Sequence, residues 1–215
     1  MNSTDLYAAL MHEFKNHLGL LGMTIDSIPV NGDAEHDRLV DEARLLCQRV
    51  IDRLQQALLF YKAQQQAIVP TVEAYSPLDV VQSLADTAAS LARSRLQVEV
   101  QTGADVPALW FFDRTLVEMA LLNALHNSLG YAKSRIRLSL AKVDDGLEIS
   151  VLDDSDGYPE HVLQAFAEHQ PYRATGTGLG LQFAQIVAET HENRGRRGRV
   201  LLSNDGGALF RLRLP

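Results

Sequence analysis

Apolar residues along the first 66 positions recur at intervals of three and four. Leu6, Leu10, Phe14, Leu18, Leu21, Ile25 and Ile28 mark one face of a helix, because 3.6 residues per turn bring that spacing onto a single stripe. Asn2, Ser3 or Thr4 offers a cap for its start, and Pro29 with Asn31-Gly32 ends it. A second stripe follows in Leu39, Ala43, Leu46, Cys47, Val50, Leu54, Ala57, Leu58 and Tyr61. The connection is short, so the two helices are expected to run antiparallel. Leu45, Leu59 and Phe60 fall outside the second stripe, and a lone hairpin cannot enclose them. Dimerisation into a four-helix bundle is the simplest way to bury them; packing against the rest of the chain would also serve.

The rhythm changes near residue 67. Gln64, Gln65 and Gln66 end the helical stretch and Pro70 marks a linker. Ser76-Pro77 reads as a cap with proline in the first helical position, opening a helix to about Arg93. Leu96, Val98 and Val100 alternate with Gln97, Glu99 and Gln101, the pattern of a half-buried strand. Asp113 is expected to cap a helix running to about Gly130. Ile136, Leu138 and Leu140 form a strand, Asp144-Asp145-Gly146 a hairpin turn, and Leu147 to Leu152 its partner. A helix over 159–168, a loop, a helix opening at Gly178 and two strands at 198–204 and 208–214 complete the chain. Helices and strands mix without regular βαβ alternation. The expected class is therefore α+β: a helical hairpin over 1–66, then helices on one face of a mixed sheet over 67–215.

Composition narrows the picture. A net charge of −7 argues against nucleic acid as the main partner, with arginines gathered only at 194, 196, 197 and 199, in one short loop read as a solvated turn. Cys47 is the single cysteine, which excludes an intrachain disulfide and a cysteine-based metal site and fits a cytoplasmic setting. No apolar run approaches the roughly 20 residues that span a bilayer, and no signal-peptide pattern opens the chain. No membrane partner is expected.

The chemistry begins on the first helix. Placed at 100° intervals, the seven stripe residues fall within an arc of roughly 120°, and His12 projects about 180° from its centre. His12 is therefore an exposed imidazole. A neutral imidazole nitrogen can attack a phosphoryl group, and the neighbouring Glu13 can orient it and take its proton. Asn16, one turn along the same face, can hold a water. Elsewhere Asn123 and Asn127 share a helix face at i and i+4, with amide oxygens suited to magnesium. Gly176, Gly178 and Gly180 open a helix, where backbone amides and the positive helix end approach an anion closely.

These runs carry a resemblance. HEFKNHLGL at 12–20 resembles the H-box of sensor histidine kinases, matching at His12, Glu13, Phe14, Lys15, Asn16 and Leu18, with His17 where that family has proline. LLNALHNSLGYA at 121–132 resembles the N-box, with Ser128 in place of alanine and Gly130 in place of a basic residue. VLDDSDGYP at 151–159 resembles the G1 box, with Asp153 as the adenine-binding aspartate, Gly157 as its second glycine and Ser155 replacing the first. GTGLGL at 176–181 resembles the G2 box. The motifs stand in the family's order over nearly the whole chain.

The resemblance implies the ATPase fold shared by histidine kinases, gyrase, Hsp90 and MutL, preceded by a dimerisation and phosphoacceptor hairpin. It implies ATP and Mg2+ bound at Asn123, Asn127, Asp153, Gly157, Gly176, Gly178 and Gly180, with Asn127 on the metal. His12 would take the γ-phosphoryl group and pass it to an aspartate of a response regulator receiver domain. Glu13 with Asn16 matches the pattern linked to phosphatase activity. A homodimer and a separate sensor protein are the other expected partners. Two alternatives stay open: a phosphotransfer adaptor with a decayed ATP site, suggested by Ser155, Gly130 and only 18 residues between Gly157 and Gly176, and a serine kinase of the anti-sigma type.

Overall fold

The computed structural model describes residues 14, 16–25, 27–29, 33, 35–40, 42–44, 46–47, 50–51, 54, 68–92, 95–168 and 179–215. The chain divides into two compact units, Met1–Ala67 and Ile68–Pro215.

In the first unit, residues 16–25 are helical, as are 35–40, 42–44 and 46–47. The Cys47 thiol donates to the Leu18 carbonyl at 3.4 Å, and the Arg44 guanidinium reaches the Ile25 carbonyl at 3.5 Å. Later positions of one stretch meet earlier positions of the other, so the two run antiparallel. The buried seam differs from the expected stripe. Val40 and Cys47 are buried, whereas Leu39, Leu46 and Val50 are exposed, as are Phe14 and Leu21. Val40 and Cys47 are seven residues apart, and Cys47 meets the first helix at Leu18 and Gly22; Leu39, Leu46 and Val50 form a second, exposed apolar face.

The second unit contains β1 (Glu73–Tyr75), α1 (Pro77–Ala92), β2 (Gln97–Thr102), β3 (Trp110–Phe112), α2 (Arg114–Tyr131), β4 (Arg135–Val143) and β5 (Gly146–Asp153). It continues with α3 (Glu160–Ala167), α4 (Leu179–Thr190), β6 (Glu192–Asn193), β7 (Arg196–Arg197), β8 (Arg199–Asn204) and β9 (Ala208–Leu214). Five strands form one sheet in the order β2-β4-β5-β9-β8. β2 runs parallel to β4 and the other neighbours are antiparallel. Ile136, Leu138 and Leu140 of β4, Leu147, Ile149 and Val151 of β5 and Phe210, Leu212 and Leu214 of β9 are all buried. Side chains alternate across a strand, so these residues define one face, and α1, α2 and α4 pack on it. Between them α1 and α2 contribute Val80, Val81, Leu84, Val117, Leu121 and Leu125 to the same core.

The expected caps are present. Ser76 Oγ accepts from the Asp79 N–H at 3.2 Å, and Asp113 Oδ1 accepts from the Leu116 N–H at 3.0 Å. Asp113 Oδ2 also accepts from the Thr71 N–H at 2.8 Å, tying the segment before β1 to the start of α2. Behind it lies His191, 3% exposed. Its Nδ1 donates to the Val187 carbonyl at 2.7 Å, so its Nε2 is the acceptor for the Asp113 N–H at 2.9 Å. That arrangement fixes a neutral imidazole joining the end of α4 to the start of α2. Two short features lie outside the sequence expectations: β1 pairs with β3 over three residues, and the exposed turn at 192–197 is ordered as the β6–β7 hairpin.

Candidate functional site

Two periodicities meet at Asp153. It ends β5 in phase with Leu147, Ile149 and Val151, so its side chain points to the helical layer. Ser128 continues the buried stripe of α2 that runs through Val117, Leu121, Ala124 and Leu125. Both residues are only 5% exposed, and the Ser128 hydroxyl donates to Asp153 Oδ2 at 2.8 Å. Asp153 Oδ1 accepts from the N–H groups of Ser155 at 3.0 Å and Ala208 at 3.3 Å. Three donors thus fix the carboxylate. An ionised carboxylate has about four acceptor positions, and the one left over is on Oδ2.

The next residue points the other way. Asp154 accepts from the N–H groups of Lys133 at 2.8 Å, Ser134 at 3.0 Å and Arg135 at 3.2 Å, and from the Ser134 hydroxyl at 2.6 Å. The Ser134 hydroxyl above all, then these backbone donors, hold its carboxyl well below the usual carboxylate range. Its place is structural, clasping the turn between α2 and β4. Lys133 also pairs with Asp156, and that neighbour raises the lysine's pKa through its hydrogen bond and charge.

The loop after β5 is built by its own side chains. Ser155 Oγ accepts from the Gly157 N–H at 3.1 Å, so the serine that replaces a glycine folds the loop. Gly157 has a φ of +86°, and a Cβ there would also lie 2.7 Å from the Asn204 side chain. Asn204 clamps the following residue: its Oδ1 accepts from the Tyr158 N–H at 2.7 Å and its Nδ2 donates to the Tyr158 carbonyl at 2.9 Å. Gly207, in the β8–β9 turn, crosses so closely over Asp153 that a Cβ would meet the Asp153 carbonyl oxygen.

A second meeting point lies between α2 and α4. Asn123 is half-buried on α2, and Gly180 in the first turn of α4 packs on its amide. Asn127, one turn further, is exposed. The structure therefore brings Asp153 and Gly157 together at the end of β5, and Asn123 and Gly180 together on the α2–α4 seam. Both pairs are joined through α2. Asn16 is exposed on a helix of the first unit. His12, Glu13, Gly176 and Gly178 lie outside the described residues. Ser128, Asn204 and the close passage of Gly207 had no place in the sequence-based site. Ser128 was visible only as a departure from alanine in its motif.

The donor chemistry fits a nucleotide. A buried acceptor with one open position suits an exocyclic amino group, and side-chain amide oxygens on α2 are hard donors of the kind magnesium takes together with phosphate. Among the described residues no cluster of three or more His, Cys, Asp or Glu side chains could hold a metal ion by itself.

Residues 112–215 match the family of histidine kinase-, DNA gyrase B-, and HSP90-like ATPases. The signal transduction histidine-protein kinase AfsQ2 of Streptomyces coelicolor is 35% identical over 111 residues, 48% of this chain and 20% of AfsQ2. The sensor-type histidine kinase PrrB of Mycobacterium leprae is 23% identical over 218 residues, covering 99% of this chain and 48% of PrrB. The chain carries a sensor histidine kinase catalytic core. Full-length ShkA, solved with AMPPNP, superposes on all of this core with a TM-score of 0.70 at 21% identity, covering 46% of ShkA; at that identity the likeness speaks to the fold. The core spans about a fifth of AfsQ2 and about half of PrrB. Among the described residues, no helix of the core is long and apolar enough to cross a membrane.

Proposed function

We propose that this histidine kinase core is active: it binds ATP with magnesium, transfers the γ-phosphoryl group to His12, and passes it to an aspartate of a receiver domain. The observation that carries this reading is the fixed Asp153 carboxylate, held by Ser128 near the C-terminal end of α2, with the Asn123–Gly180 contact five residues earlier on the same helix. Adenine is held through its amino group by Asp153 Oδ2. Asn123, Asn127 and the glycines at 176, 178 and 180 hold the phosphates, with Asn127 on the metal. Asn127 would hold the magnesium, which would offset the charge of the phosphates. Within the chain, Glu13 orients His12 and accepts its proton, and Asn16 holds water when phosphatase chemistry runs.

The accommodation of Ser155 supports an intact site over an adaptor with a decayed one, since its hydroxyl is used inside the loop. The exposed Phe14, Leu21, Leu39, Leu46 and Val50 support a homodimer that closes a four-helix bundle from hairpins over 1–66, with residues 67–215 as the catalytic domain. A cytoplasmic location and a separate sensor protein belong to the same proposal.

Incubation with γ-labelled ATP and magnesium should give acid-labile phosphate on the wild type and none on His12→Ala. An unlabelled wild type that still binds ATP would favour the adaptor. An unlabelled wild type that binds no ATP would sink the nucleotide site itself.

A further inference from the structure

The arginines at 194, 196, 197 and 199 have a structure of their own. β6 and β7 turn on Arg194 and Gly195, at φ values of 51° and 78°, the two left-handed positions of a tight hairpin. The base is closed by the Gly198 N–H on the His191 carbonyl at 2.9 Å, and His191 itself is held in the core. Gly198 admits no side chain, because a Cβ would lie 2.5 Å from the Ala188 carbonyl oxygen. The hairpin is therefore an anchored appendage whose turn and base are set by its backbone.

It continues a basic surface. β8 and β9 place Arg199 opposite Arg213, and Leu201 opposite Arg211. These residues alternate with buried Val200, Phe210, Leu212 and Leu214, so they lie on the sheet face away from α1, α2 and α4. Like charges directly opposite on neighbouring strands lower stability, and the fold draws nothing from Arg199. Asp145 pairs with Arg196 at 3.3 Å, Glu192 with Arg197 at 3.0 Å, and Glu148 with Arg213. Among the described residues Arg194, Arg199 and Arg211 have no carboxylate partner. Six arginines against three carboxylates leave +3 here, within a chain of −7, so the remainder carries −10.

We infer that this hairpin and the adjoining sheet face are a docking surface for an acidic protein segment. Guanidinium forks match carboxylates in paired geometry. Two features select a compact protein segment over an extended polyanion. The hairpin from Glu192 to Arg199 has no apolar residue to enter a bilayer. A membrane or a duplex also meets the field of the whole acidic chain, while a short segment within a Debye length of roughly 8 Å meets only the local positive charge. Along β5 the surface begins about 10 Å from Asp153 at Arg211, which faces Ser150, and extends to about 17 Å at Arg213, which faces Glu148, on the opposite face of the sheet. Docking there leaves the nucleotide site open.

The test uses the isotope-labelled full chain and three probes at one ionic strength: a peptide of aspartate and glutamate, phosphatidylglycerol–phosphatidylcholine vesicles, and a single-stranded oligonucleotide. The peptide should shift amide resonances at 194–199 and 211–213. Its affinity should fall about tenfold in the Arg194→Glu/Arg199→Glu double variant, with a thermal midpoint no lower than wild type, since Arg199→Glu sets an opposite charge across from Arg213. Arg194→Lys/Arg199→Lys, which keeps the charge and loses the fork, should bind more weakly than wild type and more tightly than the glutamate variant, which guards against a folding artefact. No shift, shifts elsewhere, equal affinity in the charge-reversed variant, or tighter binding of vesicles or oligonucleotide would each overturn the proposal.

Discussion

Gly180→Ala separates the fold from the site. A Cβ on Gly180 would lie 2.2 Å from Asn123 Nδ2 and 2.5 Å from its Oδ1. Non-bonded contact between heavy atoms settles near about 3.5 Å, so the amide must retreat by about 1.3 Å. For stability the terms partly cancel. Alanine in a helix gains about 0.5–1 kcal/mol over glycine, and the overpacking costs about 1–3 kcal/mol. The expected net loss is about 0–2.5 kcal/mol. For the proposed chemistry nothing cancels, because displacing a positioning group by about 1 Å can cost about 100-fold in rate. Urea unfolding would give the first quantity, and initial rates of His12 labelling at saturating ATP the second. A rate near wild type in Gly180→Ala would refute the assignment of Asn123 to the nucleotide site. Asn123→Ala adds a check by double-mutant cycle: with the amide gone, the Gly180→Ala stability penalty should vanish. If it persists, the clash lies elsewhere.

Ser128→Ala removes the hydroxyl that orients Asp153; hydrogen bonds to charged groups contribute about 1.5–3 kcal/mol, so adenine nucleotide affinity by calorimetry should fall roughly tenfold or more, and an unchanged affinity would dismiss Ser128 from the pocket. His191→Ala leaves the buried Asp113 N–H without its acceptor and opens space behind it. Chemical denaturation should show a loss of about 2–4 kcal/mol, and a loss under about 1 kcal/mol would contradict the proposed link between α4 and α2. Asp154 sets an acid limit. Its folded pKa is depressed, so its contribution is present above the unfolded carboxylate value near about 4 and fades as pH drops further. Asp154→Asn should flatten the stability–pH curve in that range, and a curve parallel to wild type would remove Asp154 as its cause.

Much of the sheet and its caps was legible because single residues carry local signals. Asp113 precedes an apolar run and caps it; Leu147 to Leu152 alternates because one face is buried. β1 and β3 were not, since three residues give periodicity nothing to repeat. The β6–β7 hairpin escaped for another reason: both of its strands are exposed, so no apolar alternation marks them. Asp153, Asn123 and Gly180 could be placed by motif, yet the residues that hold the Asp153 carboxylate and its loop could not. Ser128 looks like a defect until β5 brings Asp153, 25 residues later, against it. Asn204 reads as an ordinary turn residue, and its role exists only because β8 ends beside Tyr158. The apolar second face of the hairpin was anticipated as surplus surface, but which residues occupy it depended on the seam through Val40 and Cys47.

Helix α2 holds Asn123, Asn127 and Ser128 on one rigid rod. Five residues from Asn123 to Ser128 span about 7.5 Å at 1.5 Å per residue, and this span fixes the gap between the seam with α4 and the carboxylate under β5. The helix therefore acts as a ruler whose graduations are residues. One residue inserted between those positions would lengthen the gap by only about 1.5 Å, yet it would turn one end by about 100° against the other. The same composition would then measure nothing. Selection on this core should accordingly tolerate exchanges of side chains along α2 far better than any change in its count.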